Sequence, residues 1–198
     1  MNAILSDSLM SFAVGGAVLL SLALTRRFAN VWINRKVIHL SAVPAALAYM
    51  YLYREPYVFS AFSLCLAAAF LYFQASPRRM NWFQMRRNLG EVFFCLSFAV
   101  ISVLMWDAHR PLAGTIMLFM AVGDSVTGVV RSRFVVERKK HWSGSVAMFV
   151  VCAAVALAFL GPWGVLLALA ATLAEYQSWV DDNLAIPLVA GLLGVLIL

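Results

Sequence analysis

Residues 112–130 read LAGTIMLFMAVGDSVTGVV, an apolar stretch interrupted by a single carboxylate, Asp124. At 1.5 Å per residue such a run crosses a hydrocarbon layer of about 30 Å. A charge at that depth costs roughly 2.5–3.5 kcal/mol on insertion scales. It therefore faces a bundle interior or a wet cavity, and it marks a candidate functional site. The surrounding chain agrees with a membrane setting. Of its 198 residues, 64% are hydrophobic and 12% charged, against about 25% charged in soluble domains.

Apolar runs recur along the whole length, near residues 8–25, 37–53, 57–74, 91–106, 112–130, 145–161, 163–179 and 184–198. The pattern predicts an all-α, polytopic transmembrane bundle of seven or eight spans, forming one domain over residues 1–198. Several runs are short for a spanning helix and predict tilted or half-inserted segments. Cys65, Cys95 and Cys152 lie inside apolar runs and read as buried thiols, with no disulfide framework and no zinc spacing. The N-terminal MNAILSDSLMSF has no basic stretch ahead of its apolar run and reads as part of the mature protein.

Basic residues sort between alternate loops. Arg26, Arg27, Arg35 and Lys36 fall in the first loop, Arg78, Arg79, Arg86 and Arg87 in the third, and Arg131, Arg133, Arg138, Lys139 and Lys140 in the fifth. Only Arg54 and Arg110 lie in the second and fourth. The positive-inside rule then predicts odd-numbered loops in the cytoplasm and both termini outside. The net charge of +6 is explained by this topology, so nucleic acid is not an expected partner.

Four polar clusters distant in sequence converge on the same predicted face. Arg35, Lys36 and His39 open the second span, and Asp124 approaches the end of the fifth. Lys140 and Ser143-Gly144 open the sixth, while Glu175, Asp181, Asp182 and Asn183 close the seventh and lead into the eighth. On a helix Asp124, Gly128 and Arg131 share a stripe. That stripe suits a metal-bound phosphate, with the carboxylate on magnesium and the guanidinium on anionic oxygens. Ser143 and Gly144 begin a helix whose N–H groups favour an anion, and Lys140 supplies a point charge beside them. Asp181 and Asp182 are hard oxygen donors of the kind magnesium prefers, and either also suits a helix cap. Asn183 suits metal, ribose or base. Arg35 and Lys36 could serve phosphate or merely anchor topology, and His39 is a candidate for acid–base chemistry or an interfacial helix residue. Trp32, Trp106, Trp163 and Trp179 fit an interfacial belt. These parts match phosphoryl transfer, which depends on positioning and charge neutralisation. No Walker loop or nucleophile elbow occurs.

At these residues the chain resembles the CTP-dependent lipid kinases: phytol and farnesol kinases, dolichol kinases and CTP-using diacylglycerol kinases. The likeness lies in Asn34-Arg35-Lys36-Val37-Ile38-His39, in Gly123-Asp124-Ser125 through Phe134, in Lys140-His141-Trp142-Ser143-Gly144-Ser145, and in Glu175 through Asp181-Asp182-Asn183 to Leu188. The last two segments look most like the phytol kinase branch. The resemblance implies an integral membrane kinase that transfers phosphate from CTP, with Mg2+, to an isoprenoid or other lipid alcohol, its active site facing the cytoplasm. It implies that Arg35, Lys36, His39, Asp124, Lys140, Gly144, Glu175, Asp182 and Asn183 lie at or near the site. Asp124 with Asp182 or Asp181 would bind magnesium, supported by Glu175. Lys140, Arg35 and Lys36 would hold the phosphates, with His39 or a carboxylate accepting the hydroxyl proton. The chain departs from the family at Thr127 (usually alanine) and Arg131 (usually glycine), and the stretch from Phe134 to Lys140 is short. Arg131 could then be an added phosphate contact. The rival readings are a CDP-lipid-forming cytidylyltransferase and a small ion-coupled transporter, and homo-oligomerisation is left open.

Overall fold

The computed structural model describes residues 2–86, 88–134 and 140–198. Arg87, Arg138 and Lys139 lie outside the described residues. The chain is all-helical, with no strand among the described residues. Its helices are α1 (Ala3–Thr25), α2 (Val31–Leu40), α3 (Val43–Tyr51), α4 (Pro56–Ala75), α5 (Gly90–Leu104), α6 (Trp106–Leu118), α7 (Asp124–Phe134), α8 (Trp142–Leu160), α9 (Gly164–Tyr176) and α10 (Asp182–Ile197). A π turn, Phe119–Gly123, joins α6 to α7.

Four helices are long and apolar enough to cross a membrane: Ala3–Thr25, Pro56–Ala75, Trp106–Arg133 and Trp142–Leu160. The third is the rod formed by α6, the π turn and α7. It is 78% buried, against 28–33% for the other three, so the remaining helices pack around it. Outward-facing Leu20, Leu64, Leu157 and Leu192 stay exposed, as a hydrocarbon-facing surface requires. α5, α9 and α10 have 15, 13 and 16 residues and fall short of the roughly 20 that a straight span needs.

Two sequence boundaries are corrected. Residues 37–53, read as one span, form α2 and α3 with a break at Ser41-Ala42. Pro44, in the first turn of α3, has no N–H to carry the hydrogen-bond ladder across the break. α2 itself begins earlier, because the Asn30 side chain accepts from the Trp32 and Ile33 N–H groups and caps it. Arg35 and Lys36 therefore lie inside a helix and are buried, not in a cytoplasmic loop.

Ahead of the fifth span the helix reaches back to Trp106 across a kink at His109 (φ −134°, ψ 36°), just before Pro111, so the straight part of the span starts within a few residues of Leu112 and Arg110 sits at the kink. Its guanidinium donates to Tyr49 O (2.6 and 2.9 Å) and Tyr53 O (2.7 Å), and it lies 3.9 Å from the Trp106 ring centroid. Trp106 is thus a platform for this cation rather than a free interfacial anchor, and Trp32 similarly lies under Arg131. At the same end of the bundle, buried Asp7 on α1 accepts from the Arg54 and Glu55 N–H groups ahead of α4, at 3.1 and 3.0 Å. Ser11 and Tyr53 hydroxyls meet at 2.7 Å.

Arg110→Leu strands two carbonyls. Hydrogen bonds to a charged group contribute about 1.5–3 kcal/mol each, so thermal unfolding in detergent should shift down by several degrees. Arg54→Leu should stay near wild type, because only the backbone of this exposed residue is engaged.

Candidate functional site

The site is built where α2 crosses α7. The spacing of Lys36 and His39 turns both toward Asp124, the first residue after the π turn. Lys36 Nζ lies 2.6 Å from Asp124 Oδ1, and His39 Nδ1 lies 3.2 Å from Oδ2. Gly128, one turn beyond Asp124, makes this pairing feasible. A Cβ there would stand 2.3 Å from Lys36 Cε and 3.1 Å from its Cγ, so the lysine stem would have to shift from its present path across α7. The Ser125 hydroxyl donates to Lys36 O at 3.0 Å and ties the two helices together at the same level.

Arg35 turns the other way, toward α5. Its Nε is 2.8 Å from Glu91 Oε1, and its second nitrogen donates to Asn88 Oδ1 at 3.2 Å. A Cβ on Gly90 would sit 2.7 Å from that guanidinium, so this cation too rests on a glycine. The sequence reading overlooked Glu91 because it opens an apolar run. The signal was available: a carboxylate at the head of a buried helix raises the same question as Asp124.

The third cluster joins α7, α9 and α10. Glu175 Oε1 lies 2.9 Å from Lys140 Nζ and 3.5 Å from Arg131 NH1, and Lys140 also donates to the Glu175 carbonyl. Lys140 is 3.8 Å from Asp182. The Arg131 guanidinium sits 5.5 Å from the Trp32 ring centroid. The resemblance would put glycine at Arg131; here it is a counter-ion that helps bury Glu175.

Trp32, Arg35, Lys36, Asp124, Arg131, Asp182 and Asn183 line one small polar cavity. Three of the four polar segments read from the sequence thus meet in its wall, and Lys140 reaches it through Asp182 and Glu175. Ser143, Gly144 and Asp181 are not in that wall. Asp181 Oδ1 caps α10, accepting from Asn183 N (3.0 Å) and its amide (2.9 Å), so for this residue the cap reading holds. The α8 terminus is likewise capped from within. His141 Nδ1 accepts from Ser143 N, and His141 O accepts from Gly144 N. Those two N–H groups are therefore not free for an anion. Gly144 instead allows close packing of α8 on Thr127, where a Cβ would lie 3.0 Å from the methyl group.

Among the described residues no three His, Cys, Asp or Glu side chains gather to hold a metal ion. The oxygens of Asp124 face Lys36 and His39, and Glu175 faces cations. Asp124 and Asp182 share a cavity wall.

No family model matches the chain, and no solved structure matches it. An uncharacterized protein of Methanocaldococcus jannaschii is 27% identical over 106 residues, covering 50% of this chain. The match spans 54% of the archaeal protein, about half its length.

Lys36→Met leaves the Asp124 carboxylate buried without its cation. Removing one partner of a buried pair costs about 3–5 kcal/mol. Lys36→Met combined with Asp124→Asn should recover part of that loss. Additive losses in denaturation of detergent-solubilised protein would show that the pair is not coupled.

Proposed function

We propose that the chain is an integral membrane phosphotransferase that moves the γ-phosphate of CTP, carried with Mg2+, to the hydroxyl of an isoprenoid-type lipid alcohol. The observation that supports this most is the polar cavity. It sets Arg35, Lys36 and Arg131 from α2 and α7 against Asp124 and Asp182 from α7 and α10. Such a set neutralises polyphosphate and holds the metal that accompanies it, which is most of what phosphoryl transfer asks of a protein. The choice of CTP and of a lipid alcohol rests on the resemblance at Asn34–His39, Gly123–Arg131, Lys140–Ser145 and Glu175–Leu188.

In this reading Arg35 and Arg131 hold anionic oxygens. Lys36 exchanges part of its contact with Asp124 for the phosphate, freeing carboxylate oxygen for the nucleotide's magnesium. The alcohol oxygen forms a bond to the γ-phosphorus as the bond to the CDP oxygen breaks. The hydroxyl proton passes to His39, whose Nδ1 lies 3.2 Å from Asp124 Oδ2. Glu175 keeps Lys140 and Arg131 in place. The site faces the cytoplasm, since Arg26, Arg27, Arg78, Arg79, Arg86 and Arg133 lie in or next to the loops at that end. Counting α2–α3 as one span, and α5, α9 and α10 as short spans in a locally thinned bilayer, gives eight with both termini outside.

Purified protein incubated with γ-labelled CTP or ATP and a panel of phytol, geranylgeraniol, long polyprenol and diacylglycerol should label a lipid and release CDP. Pyrophosphate release with cytidylate left on the lipid would instead favour the cytidylyltransferase. No nucleotide consumption under any condition would sink both. Asp124→Asn should lower turnover at least about 100-fold, the loss typical of removing a key electrostatic group. It should also lower stability, because Lys36 loses its carboxylate.

A further inference from the structure

A second cavity lies on the other side of His39, bounded by α1, the α2–α3 pair, α4 and α5. Its wall is almost wholly apolar. On α4 it runs from Phe70 to Phe59, about 16 Å at 1.5 Å per residue, close to one leaflet of a ~30 Å hydrocarbon core. Phe98 and Val14 line it as well. The polar groups sit toward the Phe70 end, where His39 and Glu91 enter the wall.

His39 is 3% exposed, and its Nδ1 is committed to Asp124. Its Nε2 is buried and has no hydrogen-bond partner among the described residues. A buried ring nitrogen left unpaired is costly and points to a missing partner. The rest of the wall is almost wholly apolar, so a water there would find few further hydrogen-bond partners.

We infer that this cavity is the acceptor subsite. It takes the single apolar chain of a neutral alcohol, with the hydroxyl hydrogen-bonded to His39 Nε2. This rests on the phosphotransfer reading of the polar cavity. Charge decides the headgroup. Glu91 and Asp124, the carboxylates near His39, are already paired with Arg35 and Lys36, so a charged headgroup would enter the apolar cavity without a counter-ion of its own. An ammonium would have to compete with Arg35, already 2.8 Å from Glu91. The cavity lies between four elements, and this confinement is the reason for assigning it a single chain rather than two. The geometry also places the hydroxyl usefully. Through His39 and Asp124 the apolar cavity abuts the polar one, so the alcohol ends about one imidazole ring away from the wall that would present the phosphate.

The test is photolabelling, which needs no turnover. A long-chain primary alcohol with a diazirine near its tail, added to the detergent-solubilised full chain, should label peptides containing Phe59 or Phe98. Ser63→Trp, which fills the slot, should reduce that labelling at least tenfold. Ser63→Leu should give an intermediate loss if the larger side chain prevents folding. Leu192→Trp, on the outer surface of α10, should change nothing. His39→Phe should abolish the preference for the alcohol over a matched hydrocarbon probe. Labelling confined to outward faces, or indifferent to Ser63 substitution, overturns the subsite even if phosphate transfer is observed. Cavity labelling without any phosphate transfer keeps the subsite and overturns the kinase reading.

Discussion

The buried contact between Lys36 and Asp124 is the constraint around which the bundle is arranged. Two charges removed from water recover their desolvation only with close geometry and additional partners. The surroundings supply both. Gly128 clears a path for the lysine stem, Ser125 ties its backbone to α7, and His39 takes the second carboxylate oxygen. α2 must therefore lie tightly on the central rod, and this fixes the cleft between α1, α4 and α5 on its other side.

Charge is compartmented within the bundle. At one end Arg110 closes off the Tyr49 and Tyr53 carbonyls while Asp7 receives the turn before α4, and both serve architecture. At the other end the cations face a cavity. Arg35 and Lys36 are adjacent in sequence yet serve different carboxylates on different helices, each crossing a glycine to do so. Substituting lysine for Arg35 would lose the forked donor set that reaches Glu91 and Asn88 together.

Much of this was legible beforehand, for a definite reason. Helical spacing alone places Asp124, Gly128 and Arg131 on one stripe and His39 one turn from Arg35, and those relations survive folding. The convergence of distant segments was legible as an excess of polar groups on one predicted face. What resisted reading was local competition for the same groups. Asp181 and His141 belong to helix starts, and their capping bonds use donors and acceptors that looked available for ligand. Ser143 and Gly144 were assigned to phosphate on the general behaviour of helix termini, but a cap supplied two residues earlier overrides that behaviour. Glu91 escaped notice because hydropathy averages a single charge away. The break at Ser41-Ala42 was hidden by continuous apolarity, although Pro44 announced it.

The π turn at Phe119–Gly123 has an evolutionary corollary. One extra residue in a helical turn offsets everything after it by about 100°. The rod thus consists of two helices with separate phases: α6, set by its fit to α3 and α10, and α7, set by its partners on α2 and α8. Loss of one residue between 119 and 123 would leave a regular helix and a passable membrane segment, yet swing Asp124 away from Lys36. Insertions and deletions in homologous chains should therefore be scarcer across this turn than hydropathy would suggest. A chain that has lost the turn should also have lost the carboxylate, because an unpaired charge at that depth could not be retained for packing alone.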